Sequence, residues 1–200
     1  MQSIVNSVLF RIRGNGRGWV FSPTDFIDLA ELRTVNVVLG RLTKAGKIRR
    51  LSRGIYDYPR LHSKLGTLFP EINSVVKAII GRDKIRLQPA GAYAANMLGL
   101  SEQVPSKVVF LTDGKSKKIT IGKLSIEFKK TSTKNMALAG KEAGLVIEAF
   151  RYMTEQYITE NMIKRLNKVL SPTSKKDLMK NLRVAPAWMI PFIKKIAGVK

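Results

Sequence analysis

A chain of 200 residues with 36 Lys and Arg against 14 Asp and Glu carries a net charge of +22. An apolar content of 44% marks a folded chain rather than a disordered polycation, and the charge draws polyanions such as nucleic acid. No cysteine is present, which excludes disulfides, thiol nucleophiles and Cys-ligated metals, and a single histidine, His62, excludes a histidine-clustered zinc site.

The charge does not locate a site. Residues 1–60 hold 11 basic and 4 acidic residues, 61–133 hold 12 and 5, and 134–200 hold 13 and 5, so the three segments carry +7, +7 and +8. No apolar run is long enough to span a bilayer. Met1 to Arg13 is too short and too interrupted by charge for a signal peptide, so the expectation is a cytoplasmic protein with no membrane partner. No metal, cofactor or catalytic residue is expected.

In chain order, Ile4, Val5, Val8, Leu9 and Ile12 recur at helical spacing and predict an amphipathic helix over 3–12. Gly14-Asn15-Gly16-Arg17-Gly18 ends it. That run is a connector rather than a phosphate loop, because no strand precedes it and no Lys-Ser/Thr follows. Trp19-Val20-Phe21 predicts a short strand. Ser22-Pro23-Thr24-Asp25 opens a helix with Phe26, Leu29 and Leu32 inward, and Thr34 caps a second helix over 35–44.

In that second helix Val35, Val38, Leu39 and Leu42 form an i, i+3, i+4, i+7 stripe. Asn36, Val37, Gly40, Arg41, Thr43 and Lys44 occupy the remaining face, and Gly46 closes the helix. Gly40 costs the helix about 1 kcal/mol relative to Ala, so either a tight helix crossing or close approach of a partner should account for it. Lys47–Leu51 and Ile55–Tyr58 then flank Ser52-Arg53-Gly54 as a basic hairpin.

Helix, turn, helix and basic hairpin in this order suggest a winged helix-turn-helix, which lays one helix in the DNA major groove and drapes a cationic loop beside it. Asn36 suits adenine, Arg41 suits guanine, and Val37 can meet a thymine methyl. Thr34 and Lys44 are placed for phosphates, and Arg49, Arg50 and Arg53 arm the wing. The expected partner is double-stranded operator DNA, an inverted repeat if the protein is dimeric. The competing reading is a winged helix used for protein contact, with its arginines merely solvated.

After Pro59 the texture changes. Arg60 to Pro70 reads as a linker, Glu71–Gly81 as a helix, Ile85–Leu87 as a strand, and Ala90–Leu98 as a helix opened by Pro89. Val108–Leu111 predicts a buried strand. Lys117–Ile121 and Leu124–Lys129 predict a hairpin turning at Gly122-Lys123. Helices are expected over 136–153, 158–170, 174–182 and 186–197. The expected fold class is α+β: a winged helix-turn-helix domain over 1–60, then a mixed α/β domain over 61–200 with a helical C-terminal tail.

Three segments together resemble the AbiEi-type antitoxins of type IV toxin–antitoxin systems. They are Arg17–Phe26, Leu42–Pro59 and Leu87–Leu100, and the match continues through Val104-Pro105 and Leu111-Thr112-Asp113-Gly114. The likeness covers roughly residues 17 to 130 and does not extend beyond about 135. It implies an N-terminal winged helix that represses the antitoxin–toxin operon, in a phage-defence setting. It also implies a C-terminal domain that antagonises a nucleotidyltransferase-like toxin, with or without a stable complex. Gly40 stands where that pattern leads one to expect a larger small residue such as serine.

Two alternatives remain beside this reading. One is a winged-helix transcriptional regulator without a toxin. The other is a metal-dependent nuclease, because Asp113 followed by Glu127 and Lys129 has the Asp…Glu-x-Lys order in which two carboxylates hold magnesium. Against it, Ile126 and Phe128 would face the core while Ser125, Glu127 and Lys129 form a solvated strand face. Finally, Ala187 to Ile196 is either a docked core helix, kinked at Pro191, or a membrane-surface helix.

Overall fold

The computed structural model describes residues 3–122 and 124–199. They form an α+β protein that divides into two compact units. The first is Met1–Lys84 with Thr120–Gly122, and the second is Ile85–Ile119 with Lys123–Lys200. The division between consecutive residues thus falls at Lys84/Ile85, whereas the sequence suggested Arg60/Leu61.

In the first unit, α1 (Ile4–Gly14) is capped by Ser3, whose hydroxyl accepts the Asn6 N–H. It buries Val8 and Ile12 but leaves Ile4 39% exposed. β1 (Val20–Phe21) follows, then a 3₁₀ turn at Pro23–Phe26, α2 (Leu32–Lys44), β2 (Arg49–Ser52) and β3 (Ile55–Asp57). β3 lies between the other two strands and is antiparallel to both. The expected partnership of β1 with the later hairpin is therefore present. Phe21, Phe26, Val35, Leu39 and Ile12 close the core, with the Phe21 and Phe26 rings edge-on at 5.5 Å.

The helix expected from Ser22 is only this one 3₁₀ turn. Its start is well specified, because the Ser22 N–H donates to Asp25 Oδ2 at 2.7 Å and Pro23 occupies the first turn. It does not continue as an α-helix. Arg11 donates to the Asp25 carbonyl at 2.7 Å, the oxygen a continuing α-helix would offer to Leu29. The Leu29 N–H turns back to Phe26 instead. Arg11 also grips both oxygens of Asp28 at 2.6 and 2.5 Å. Leu32, expected inward, is 48% exposed and starts α2.

Thr34 does not cap α2. Glu31 is the capping residue, its carbonyl accepting the Val35 N–H, and an acid there complements the positive helix N-terminus. Thr34 sits half-buried in the first turn. Val35, Val38, Leu39 and Leu42 are all buried, and Gly46 takes φ +67° just past the helix, both as the spacing indicates.

The stretch read as a linker is a small hairpin, β4 (Leu61–His62) with β5 (Gly66–Thr67). Exposed His62 closes its turn, Nδ1 accepting the Lys64 and Leu65 N–H groups at 3.2 Å each. α3 (Ile72–Asp83) then packs on β1 and β3 through residues including Val75 and Ile79, which is why residues 61–84 belong with the first unit.

A mixed sheet in the order β6-β7-β9-β8 is formed from β6 (Leu87–Ala90), β7 (Lys107–Thr112), β8 (Lys117–Ile121) and β9 (Leu124–Lys130), all of it in the second unit but the Thr120–Ile121 end of β8. Lys123, half of the expected hairpin turn, lies outside the described residues. β6 and β7 are antiparallel, whereas β7 and β9 are parallel. Pro89 lies within β6 rather than opening α4 (Gly91–Met97). β6 is an edge strand, where a residue without an N–H is tolerated. Val108, Phe110, Ile126 and Phe128 are buried.

α5 (Glu142–Met153) packs on α4 and β6. Its Gly144 faces the Leu138 carbonyl oxygen and lies close to Gln88 Oε1, so that a Cβ would press on both. α5 begins later than the expected 136, with Gly140 at φ +79° just before it. α6 (Glu160–Val169) and α7 (Pro172–Lys180) follow. The expected last helix is divided into a 3₁₀ turn, Ala187–Met189, and α8 (Ile190–Ala197). Pro191 falls in the first turn of α8, where its missing N–H costs nothing and no kink results. Met189, Ile193 and Ile196 are fully buried in the core shared with α5 and α6. No described helix is long and apolar enough to cross a membrane.

Candidate nucleic-acid interface

Because α2 commits Val35, Val38, Leu39 and Leu42 to the core, the 3.6-residue period turns Asn36, Val37, Gly40, Arg41 and Lys44 outward. Val37 is 49% exposed. Asn36, Arg41 and Lys44 are exposed as well, and Arg41 and Lys44 have no ion-pair partner among the described residues. The Asn36 amide donates one proton to the Leu32 carbonyl at 2.8 Å. Its second proton and its carbonyl oxygen have no partner among the described residues.

Gly40 lies in this face. A Cβ built on it meets nothing within 4 Å, so no helix crossing among the described residues accounts for it.

The hairpin beside α2 divides its three arginines into two kinds. Arg50 and Arg53 are exposed, Arg50 making only a long contact of 3.4 Å to the Ser52 carbonyl. Arg49 is committed inward. Its Nε and one η nitrogen hold Asp57 at 3.0 and 2.6 Å, and the same η nitrogen donates to the Leu68 carbonyl at 2.9 Å. Asp57 is 1% exposed, so the pair commits Arg49 to tying the hairpin to the following loop, with 28% of its side chain still exposed. Arg49 and Asp57 are register partners, and a buried carboxylate at a strand end needs such a partner. That was the available signal.

A residue not apparent in the sequence is Arg82 of α3. It donates to the Arg53 carbonyl at 2.7 Å, and a Cβ on Gly54 would meet the same guanidinium at 3.2 Å. Gly54 itself has φ +70°, and the register slips between Arg50 and Ser52. The Arg53-Gly54 tip is thus held from below by a side chain 29 positions away. Local sequence carries no mark of that contact.

The nuclease constellation, the less favoured alternative in the sequence, does not assemble. The Arg86 guanidinium and backbone N–H bind Asp113 at 2.8 and 2.9 Å and hold its carboxyl below the usual range. Glu127 lies 3.0 Å from Lys107 and 3.8 Å from Lys129, and Lys107 first among these lysines lowers its pKa too. In the parallel register Val109 pairs Glu127 while Thr112 pairs Lys130. Asp113, beyond Thr112, is therefore about four residues or 13 Å along the sheet from Glu127, too far to share one metal ion. Among the described residues no three His, Cys, Asp or Glu side chains cluster as metal ligands.

The fold and this face define an α+β protein with an outward polar helix next to a basic hairpin. A family model described as a family of unknown function (DUF6088) matches residues 7–178, and the chain belongs to that family. No curated protein matches it.

Proposed function

We propose that the first unit is a winged helix-turn-helix that binds operator DNA, with α2 in the major groove and the Arg50–Arg53 tip as its wing. The element order α1, β1, 3₁₀, α2, β2, β3 and the sheet order β1-β3-β2 support this reading. The observation that carries it is the outward face of α2, where Asn36, Val37, Arg41 and Lys44 surround a glycine with open space above it. Arg41 and Asn36 have the chemistry for guanine and adenine, while Thr34, Lys44, Arg50 and Arg53 supply phosphate contacts. Arg49 acts on the hairpin and not on DNA.

The antitoxin part of the proposal rests on the resemblance of residues 17–130. In it the protein represses its own operon and antagonises a nucleotidyltransferase-like toxin through the second unit, without catalysis of its own. Two measurements separate the parts. The full chain should prefer its own upstream region to a random duplex of equal length, and Arg41→Ala should weaken that preference. Full-length R50A/R53A should lose promoter binding yet still protect cells expressing the toxin. Loss of protection with the folded variant would contradict a toxin-directed role for the second unit, while DNA binding without any protection by the wild type favours a regulator without a toxin.

A further inference from the structure

The helical part of the second unit carries three adjoining clefts. The first, of about 730 Å³, is lined by Lys164, Arg165 and Lys168 of α6 with Thr159 and Asn161. The second, of about 500 Å³, shares Lys164 and Lys168 with the first. The third, of about 460 Å³, shares Val199 with the second and is lined by Lys175, Lys176 and Lys180 around α7. One acid lines the whole series, Glu160, and Lys195 neutralises it. The six cations of the first and third clefts have no ion-pair partner among the described residues.

Local structure builds this surface. α6 buries Ile163 and Leu166, which turns Lys164, Arg165 and Lys168 away from the core, with Lys164 and Lys168 one turn apart on the same face. Arg165 lies over Gly99, whose missing side chain leaves the space the guanidinium fills. Uncompensated like charges in concave ground focus a positive field and destabilise one another until an anion arrives.

We infer that this series of clefts is a binding track for a nucleic-acid phosphodiester backbone, built entirely from the second unit. Three clefts sharing residues end to end suit a polymer of phosphates rather than a single nucleotide. Their linings contain no aromatic ring, so bases have nothing to stack on and binding follows the backbone without sequence preference. A membrane surface fits less well, because Met189, Ile193 and Ile196 are buried and, of the large apolar side chains lining the clefts, only Val169 and Val199 are exposed, too little apolar surface to insert. The track does not depend on the DNA-reading role of α2.

The test uses the full chain and a random-sequence duplex without the operator. K164Q/R165Q/K168Q should bind it at least tenfold more weakly at 0.15 M salt, with the slope of log affinity against log salt reduced by about 2–3, one per lost phosphate contact. K175Q/K176Q/K180Q should act alike, both variants keeping the wild-type melting temperature. K64Q/K77Q/K115Q, which removes the same charge from other exposed positions, should change affinity less than threefold. Equal weakening by that control, or unchanged slopes in both cleft variants, would overturn the track. So would selective loss of binding to phosphatidylglycerol vesicles, poly-glutamate or tripolyphosphate while duplex binding persists.

Discussion

Arg49 and Asp57 face each other across the β2–β3 hairpin, joined by two hydrogen bonds of 3.0 and 2.6 Å with the carboxylate almost fully buried. This one pair splits a run of three arginines that look equivalent in sequence. Arg49 holds the hairpin in shape, whereas Arg50 and Arg53 stay exposed. Asp57→Ala should therefore cost about 1.5–3 kcal/mol, the scale of charged hydrogen bonds, read as a lower denaturation midpoint. Arg49→Ala should also destabilise, but the folded variant should keep the wild-type salt slope of DNA binding. A reduced slope would return Arg49 to the interface.

Gly40→Ala should strengthen the fold. The added methyl meets open space, and an Ala in place of Gly inside a helix gains about 0.5–1 kcal/mol. The same methyl points from the face proposed to approach DNA, so promoter affinity should fall. A variant that is more stable and binds DNA as well as the wild type would show that Gly40 has no role in close approach.

Gly144→Ala should do the opposite to stability. There the methyl presses against a carbonyl oxygen and against Gln88 Oε1 at 2.7 Å. Gln88 is 1% exposed and also accepts the Gly140 N–H, so it cannot swing aside freely. Overpacking of this kind costs about 1–3 kcal/mol. Comparing the melting temperatures of the two alanine variants checks both signs at once.

Glu148 gives the fold a defined pH dependence. It is 7% exposed; burial raises its pKa above the ordinary 4.5, with nearby Arg151 opposing the shift. Below the ordinary value both folded and unfolded chains hold the proton. As pH rises toward the folded value, the native state retains a proton that the unfolded chain has released, so this group's stabilising contribution falls, and above that value it is lost. Glu148→Gln, a neutral stand-in, should melt higher than the wild type at neutral pH, and the difference should shrink below pH 4.5. A constant or growing difference on acidification would contradict the assignment.

The core of the first unit is legible because it depends on short-range pattern. The α2 stripe and the closing Gly46 both follow from residues within a few turns of one another. What escapes the sequence depends on distant groups. Arg11 reaches across to the Asp25 carbonyl and to Asp28 beside the 3₁₀ turn, and nothing in Ser22–Leu32 announces it. Pro89 reads as a helix opener until the sheet order makes its strand an edge. The candidate site divides in the same way: the helix face is a matter of period, whereas Arg49 and Arg82 are sorted by tertiary contacts with Asp57 and Arg53.

The proposal that the α2 face and the Arg50–Arg53 tip bind DNA is tested most directly by titrating the chain's own upstream duplex across a range of salt concentrations. Wild type, R50A/R53A and R41A should be compared. R50A/R53A should lower the slope by about 2 and weaken specific and random duplexes about equally. R41A should instead cost about 1–3 kcal/mol on the specific duplex, and less on the random one. Affinities and slopes unchanged in both variants, with the folds intact, would contradict the account.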